Sequence, residues 1–422
     1  MLEINKIKEN KQSFLKSLKL RNFNAEDFFE KILLKEKNRK SIIKENELLL
    51  NEANLITKEI ELLYRNKQLE KIEILKKKSS QLKKKSKELQ AKISLIEVEI
   101  KNLLLEIPNI PNKLVPSGSS ELDNEIILES GSIPTLFSEA KPHWELLKKY
   151  NLVDFDLGNK ITGSGFPIFI DKGARLQRAL ITYFLDKNIE AGYVEYAPPY
   201  MVNKDSAYCT GQLPKFEDDL YKVSGETELY LIPTAEIPVT NMFKDLIVDN
   251  LPLKCTSYTP CFRREAGSYG KNVRGLNRLH QFDKVEIVQI THPEKSYNAL
   301  QEMIKHVSLI LDALELPYRI VRLCGGDLGF SSALTYDFEV YSAAQEKWLE
   351  VSSVSNFESY QANRLKLRYR DQDNKKKLCH TLNGSSLALP RIFAALIENN
   401  QSINGIKIPK AIQSYLDFDI IS

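Results

Sequence analysis

Residues 1–107 of this 422-residue chain contain no glycine, no proline and no tryptophan; all 17 Gly and all 17 Pro lie between Pro108 and Ser422. Gly costs about 1 and Pro about 3 kcal/mol in a helix interior, so their absence argues against a turn-rich N-terminal region and predicts long helices. Cysteine is scarce too: Cys209, Cys255, Cys261, Cys324 and Cys379 form no CxxC pair and are odd in number. That argues against a disulfide framework and predicts buried, reduced thiols. No stretch approaches the roughly 20 apolar residues of a membrane span, and Met1 to Asn10 lacks the apolar core of a secretion signal. A cytoplasmic protein away from membranes is expected. Neither GxxxxGK[ST] nor GxGxxG after a strand occurs, so any nucleotide site must be built from other parts.

What is present is ordinary in bulk and uneven in place. The length allows two or three domains, and 42% apolar with 27% charged residues excludes wholesale disorder. The net charge of +4 says little about partners, but Arg65 to Lys92 alone holds eleven Lys or Arg against three Glu, a net +8.

That basic stretch lies in a region of heptad spacing. Ile42, Leu49, Ile56 and Leu63 recur every seven residues, with Ala53 and Ile60 on the adjoining seam; Leu75, Leu82, Leu89, Ile96 and Leu103 form a second run with Ile93 and Ile100. Such spacing draws an apolar seam down each helix and favours supercoiling against a partner. The heptad phase shifts between Leu63 and Leu75, which predicts a turn near Arg65-Asn66 and an antiparallel hairpin. Legs of about 35 residues would reach roughly 50 Å. Lys76, Lys77, Lys78, Lys83, Lys84 and Lys85 are more one-sided in charge than a solvating face needs, and clustered cations along a rod suit a phosphate backbone. A nucleic acid is the expected partner of the arm.

Pro108, Pro111 and Pro116, then Ser117-Gly118-Ser119-Ser120, interrupt the helical pattern. We therefore expect residues 1–107 as a helical arm, 108–130 as a linker and 131–422 as a mixed domain. In the last, Glu145 to Asn151 and Leu176 to Asn188 read as helices. Gly192 to Ala197, Leu229 to Leu231, Lys284 to Gln289, Tyr318 to Arg322, Thr335 to Tyr341 and Trp348 to Ser352 read as strands. Strands outnumber regular βαβ units, so the fold class is α+β, a largely antiparallel sheet flanked by helices.

Chemistry gathers in Cys261-Phe262-Arg263-Arg264-Glu265-Ala266-Gly267, followed by Arg274-Gly275 and Leu279-His280-Gln281-Phe282-Asp283-Lys284-Val285-Glu286. Arg263 offers a planar fork of donors for a phosphate, Glu265 acceptors for an exocyclic amine and Phe282 a ring for a base. In this conjunction the sequence resembles the seryl-tRNA synthetases of class II. Gly192-Tyr193-Val194-Glu195-Tyr196-Ala197-Pro198-Pro199 is similar to the first class motif, and Phe262 to Gly270, continuing through His280-Gln281-Phe282 to Glu286, to the second. Thr381-Leu382-Asn383-Gly384-Ser385-Ser386-Leu387-Ala388-Leu389-Pro390-Arg391 is similar to the third. Thr234-Ala235-Glu236, Glu350-Val351-Ser352-Ser353 and Gly211 to Phe216 fall in family order, and the resemblance spans almost the whole chain.

The resemblance implies a coiled-coil arm followed by a class II sheet domain, and an aminoacyl-tRNA ligase that activates L-serine with ATP and transfers it to tRNA(Ser). tRNA(Sec) stands as a further candidate, and neither a membrane nor DNA is implied. By resemblance, Arg263 holds the ATP α-phosphate, Glu265 contacts adenine, Phe282 stacks on it and Arg391 meets the γ-phosphate. Arg264, Leu279, His280, Gln281, Val351 and Ser352 complete the ATP site, with Glu350 and Ser353 as Mg²⁺ ligands. Thr234, Ala235, Glu236, Arg263, Glu286, Asn383 and Ser385 are implied to bind serine. The first motif implies a homodimer. Departures are mild: Arg264 stands where serine is common, Tyr341 where tryptophan is common, and Ser386 and Pro390 where glycine is common. Two rival readings remain at this stage, a related ligase that loads a carrier protein and a coiled-coil RNA-binding protein whose catalytic domain has decayed. The basic arm argues against the first and the intact Arg263, Glu265, Glu350 and Arg391 against the second.

Overall fold

The computed structural model describes residues 1–265 and 274–422 and separates the chain into two compact units. One comprises Leu2–Leu18 and Phe23–Pro108; the other comprises Asn109–Ser422 with Met1 and Lys19–Asn22.

The first unit is helical: α1 (Ile4–Lys19), α2 (Glu26–Arg65) and α3 (Leu69–Leu105). Glu26 and Asp27 occupy the first turn of α2 and Arg65 its last, each charge complementing the helix dipole. The chain reverses right after Arg65, as the phase shift predicts. Ion pairs Lys35–Glu99 at 2.6 Å, Arg39–Glu97 at 2.8 Å and Lys78–Glu52 at 2.8 Å join rising numbers on α2 to falling numbers on α3, so the legs are antiparallel. Ala53, Ile56 and Leu82 form the buried seam, with Leu49, Ile60 and Leu75 packed against it. The seam also buries Asn46, Ser79 and Ser86, which apolar heptads do not reveal. Burial here follows position: Ile72, Ser79, Ser86, Ile93 and Ile100 are spaced by seven, and each is turned inward whatever its side chain. Lys76 to Lys78 and Lys83 to Lys85 are all exposed.

The second unit is built on an eight-stranded sheet. Its strands are β1 (Glu125–Ser130), β2 (Val194–Glu195), β3 (Leu253–Phe262), β4 (Gln281–Thr291), β5 (Tyr318–Arg322), β6 (Leu334–Ser342), β7 (Lys347–Glu358) and β8 (His380–Ala388). They lie in the order β1-β5-β6-β7-β8-β4-β3-β2. Every pairing is antiparallel except β2 with β3. Helices α4 (Lys172–Glu190), α5 (Glu236–Asn241), α6 (Ser296–Ala313) and α7 (Leu389–Asn399) belong to this unit. On α6 the buried Leu300, Met303, Val307, Ile310 and Leu311 recur at helical spacing and meet Val285, Ile287, Val354 and Leu382 of the sheet and Ile392, Phe393 and Leu396 of α7 in one core.

The expected helices appear as His143–Lys149 and α4, and most expected strands appear with boundaries moved by a few residues. The expected strand Gly192 to Ala197 contracts to β2, and Leu229–Leu231 belongs to a separate three-stranded sheet. Besides β1, two strands of the eight-stranded sheet were not foreseen, β3 and β8. Both are rich in Thr, Ser, Cys, Asn or Gly and lie in the sheet interior, where pairing on both edges overrides weak intrinsic preference. The stretch expected as a linker also contributes structure: β1 pairs with β5, and the buried Asn109 donates to the carbonyls of Ser331 at 2.9 Å and Phe357 at 2.8 Å.

Candidate active site

Side chains on a strand alternate between faces, so Phe282, Lys284 and Glu286 of β4 share one face. On the neighbouring β8, Ser385 pairs directly with Glu286 and Asn383 with Val288. One extra residue on β8 between these pairs and Lys284↔Ala388 makes a bulge beside the shared face. These residues open into a cavity of about 630 Å³, a size suited to a nucleotide-sized ligand. A second register shift, between Phe338 and Glu339 against β7, leaves Val351 as an extra residue. It lets Glu350 and Ser353, three apart and on opposite faces of a regular strand, both line the cavity.

The floor holds two buried carboxylates and one buried cation. Glu286 is 2% exposed and pairs with the Lys284 ammonium at 2.6 Å. The Thr234 hydroxyl donates to Glu286 at 3.2 Å and accepts from Lys284 at 3.0 Å. Burial pushes the Glu286 carboxyl above its ordinary value, and Lys284 is the largest of the opposing influences. Glu236 accepts from Gln361 at 2.7 Å and from Gln212 at 3.4 Å. Its burial, more than the nearby Glu286, pushes it up to about 7.

The walls carry the arginines. Arg263 lies over the Phe282 ring at 5.2 Å from its centroid and donates from Nε to the Pro233 carbonyl at 3.4 Å. Glu265 pairs with Arg278 at 2.7 Å. Arg391, in the first turn of α7, donates to the Asn277 carbonyl at 3.1 Å and the Glu350 carbonyl at 2.7 Å. One side of the cavity thus presents cationic forks and an aromatic face, and the other a small polar floor with Thr234, Asn383 and Ser385.

Of the residues expected from sequence, Thr234, Glu236, Arg263, Glu265, Leu279, Phe282, Glu286, Glu350, Val351, Ser352, Ser353, Asn383, Ser385 and Arg391 meet in this cavity. Four others stand outside its lining. Ala235 is fully buried among Val239, Cys255 and Val288, and it is part of the scaffold behind the floor. Arg264 is exposed and is held by its backbone N–H to the Asp219 carbonyl at 2.9 Å. The His280 ring stacks on Phe166 at 5.4 Å and meets the Tyr221 hydroxyl at 2.7 Å. Gln281 is exposed and faces a smaller neighbouring cavity. Ala266 to Gly270 lie outside the described residues. All five cysteines are buried and free; burial pushes the Cys209 thiol up to about 11 and Cys255 to about 12, so neither supplies a ready thiolate.

The sequence reading missed Lys284, Gln212, Asn277 and Arg278, all of which line the cavity. Lys284 was within reach: once Phe282 and Glu286 are placed on one strand face, alternation puts Lys284 there too. Asn277 and Arg278 sit in an irregular segment, where no periodicity announces them.

Comparison with known proteins agrees with this geometry. The seryl-tRNA synthetase N-terminal domain family matches residues 1–111, and the tRNA synthetase class II core domain family (G, H, P, S and T) matches residues 221–400. The serine–tRNA ligase of Nautilia profundicola is 48% identical over 420 residues, covering 99% of this chain and 100% of the relative. That of Salinibacter ruber is 45% identical over 422 residues, covering 99% and 98%. Among solved structures, the seryl-tRNA synthetase from Pyrococcus horikoshii complexed with ATP superposes with a TM-score of 0.91 at 35% identity, covering 100% of this chain and 99% of that one. Neither rival reading finds support in these matches. From arm to α7, the chain belongs to the seryl-tRNA synthetase family of class II aminoacyl-tRNA ligases.

Proposed function

We propose that the cavity carries out serine–tRNA ligation in two steps, on the residues placed above. In the first, the serine ammonium pairs with Glu286 while Thr234, Asn383 and Ser385 surround its hydroxyl. Glu236 braces the floor through Gln361. The serine carboxylate, already an anion, attacks the ATP α-phosphate in line; the P–O bond to pyrophosphate breaks as the new P–O bond forms. Arg263 stabilises charge on the α-phosphate, Arg391 meets the γ-phosphate, Phe282 stacks on adenine and Glu265 accepts from its amine. No base is needed, and positioning with electrostatics lowers the barrier. In the second step the 3′-terminal ribose hydroxyl of tRNA attacks the seryl-adenylate carbonyl and AMP leaves.

The donors at Glu350 and Ser353 fit Mg²⁺. They are hard oxygens, the Glu350 side chain is 50% exposed, and a cation that keeps waters and phosphate oxygens needs few protein ligands. When bound, Mg²⁺ would neutralise charge on the phosphate oxygens.

In this reading residues 1–107 are the tRNA-binding arm, 108–130 the connection and 131–422 the catalytic part. The arm tracks phosphates of tRNA(Ser), as suits A-form RNA, whose deep groove hides its bases. The exposed lysines support that assignment, and tRNA(Sec) is a second candidate cargo. Exposed Val194 on the edge strand β2, and exposed Tyr200 and Met201 a few residues further along the chain, support a homodimer. The proposed place of action is the cytoplasm; among the described residues no helix is long and apolar enough to cross a membrane.

The observation that carries the reading is a buried carboxylate, Glu286, directly beside Ser385 at the floor of a cavity walled by Arg263 and Arg391. ATP–pyrophosphate exchange measured across the amino acids tests it. Serine should stimulate exchange far above all others; a different best amino acid would overturn the pocket assignment. A site that left buried polar groups unpaired would discriminate strongly against alanine.

A further inference from the structure

Arg391 does not stand alone: a chain of hydrogen bonds leads from it to a buried histidine–glutamate pair that no step above uses. Glu398 lies seven residues after Arg391 on α7, and both its side chain and that of His143 are 0% exposed. His143 Nε2 accepts the Leu276 backbone N–H at 2.9 Å, so the ring proton resides on Nδ1, which donates to Glu398 at 2.7 Å. The same carboxylate accepts the His143 backbone N–H at 2.6 Å, Gln345 at 2.9 Å and the Ser342 hydroxyl. Glu398 is therefore an acceptor on both oxygens, facing donors only.

Gln345 extends the chain. Its amide donates to Glu398, and its carbonyl accepts from Asn277 Nδ2 at 3.0 Å. Asn277, 5% exposed, then accepts Arg391 Nε on its backbone carbonyl at 3.1 Å. The loop that carries Leu276 and Asn277 is fitted to this pair: Gly275 has φ +68°, and a Cβ there would meet His143 Nε2 at 2.2 Å. One pair thus grips two consecutive residues of the loop, Leu276 through the imidazole and Asn277 through Gln345.

We propose that His143 and Glu398 are positioning residues for ATP, holding Leu276-Asn277 so that the Asn277 carbonyl orients the Arg391 guanidinium. An arginine with Nε fixed on one carbonyl and one Nη on another, that of Glu350, has its fork aimed before the ligand arrives. Pre-organisation of this kind acts on binding of the phosphate end of ATP and leaves the serine floor untouched.

The inference rests on Arg391 as a phosphate ligand, and the test separates the two. Pyrophosphate exchange is measured for wild type, Arg391→Ala, Glu398→Gln and the double variant, with KM for ATP and for serine determined separately. Glu398→Gln keeps the shape but turns an NH2 group toward donors. It should raise KM for ATP about tenfold with KM for serine unchanged within about twofold, and it should add little when Arg391 is already alanine. Equal changes in both KM values, no change in either, or full additivity in the double variant would overturn the proposal. If Arg391→Ala leaves KM for ATP unchanged, the phosphate reading of Arg391 itself falls. Should Glu398→Gln fail to fold, Gln345→Met, at a half-buried link, breaks the same chain and must give the same ATP-selective change; a serine-selective or null result counts against it.

Discussion

Lys84 and Lys284 carry the same side chain in opposite settings. On the arm, Lys84 is exposed, as are Lys76 to Lys78, Lys83 and Lys85. In the candidate active-site cavity, the Lys284 side chain is 8% exposed and paired with the 2% exposed Glu286. The arm holds cations of one sign in water, where their field is screened beyond about 8–10 Å at physiological salt. The cavity holds opposite charges out of water, where salt barely reaches them and each depends on its partner. Charge can therefore serve in two ways in one chain. Among the described residues Lys77, Lys83, Lys84 and Lys85 form no salt bridge, so under the proposed function they are the cations offered to phosphate. Lys284 instead pairs with Glu286, which under the proposed function is the carboxylate that receives the substrate ammonium.

The sharpest break of this comparison is reciprocal loss of function. Glu286→Ala should lower kcat/KM for serine in pyrophosphate exchange by roughly a thousandfold or more, since Lys284 and the incoming ammonium are left without their carboxylate. Its affinity for tRNA should stay at the wild-type value. Deleting Asn46 to Ser86 should do the reverse, abolishing tRNA charging and sparing serine-dependent exchange. The ion pairs Arg39–Glu97 and Lys78–Glu52 bracket Asn46 and Ser86 at about one level of the hairpin, so the cut crosses both legs together. Loss of both activities in a folded deletion variant would refute the division of labour.

A smaller effect distinguishes screened from buried charge. Replacing Lys77, Lys83, Lys84 and Lys85 by Gln should weaken tRNA binding by about ten- to a hundredfold near 0.1 M salt and flatten the dependence of log affinity on log salt by up to about 3. KM for serine in exchange should be unaltered. An unchanged salt slope would remove these lysines from the RNA surface.

A last effect, read in stability and not in activity, concerns Glu236, whose carboxyl is pushed from its ordinary 4.5 up to about 7 by burial. Between those pH values the folded state binds more proton than the unfolded state, so stability declines as pH rises from about 4.5 to 7, by up to about 3 kcal/mol. Glu236→Gln cannot titrate and should gain on wild type between pH 5 and pH 8. Urea midpoints of both proteins at the two pH values measure this; a constant difference between them would show that Glu236 is not raised.

The arm was nearly all legible in the sequence, because its contacts are local. Leu82 is seven residues from Leu75 and both fall on the seam, so spacing alone locates them. What spacing did not show was which polar residues share that seam, since Asn46, Ser79 and Ser86 are buried by register and not by hydrophobicity. In the catalytic unit the motifs named Glu286, Asn383 and Ser385 without showing that Glu286 and Ser385 sit opposite each other across β4 and β8. Strand β8 itself was hidden by its composition. Arg264 and His280 lie inside a motif yet outside the cavity lining: the Arg264 backbone N–H bonds the Asp219 carbonyl, and the His280 ring meets Phe166 and Tyr221.

Sequence by itself determined the division into a Gly-free, Pro-free basic rod and a mixed domain, the family and the identity of most groups in the site. Helical periodicity and motif order are properties of neighbours along the chain, and a single sequence contains them. Only the tertiary structure decided that Lys284 neutralises Glu286, that a bulge at Val351 brings Glu350 and Ser353 to one wall, and that His143 reaches Arg391 through Glu398, Gln345 and Asn277. Those pairings join residues up to 255 positions apart, as His143 and Glu398 are. Burial then sets their strength, and burial belongs to the assembled sheet and helices rather than to any stretch of sequence.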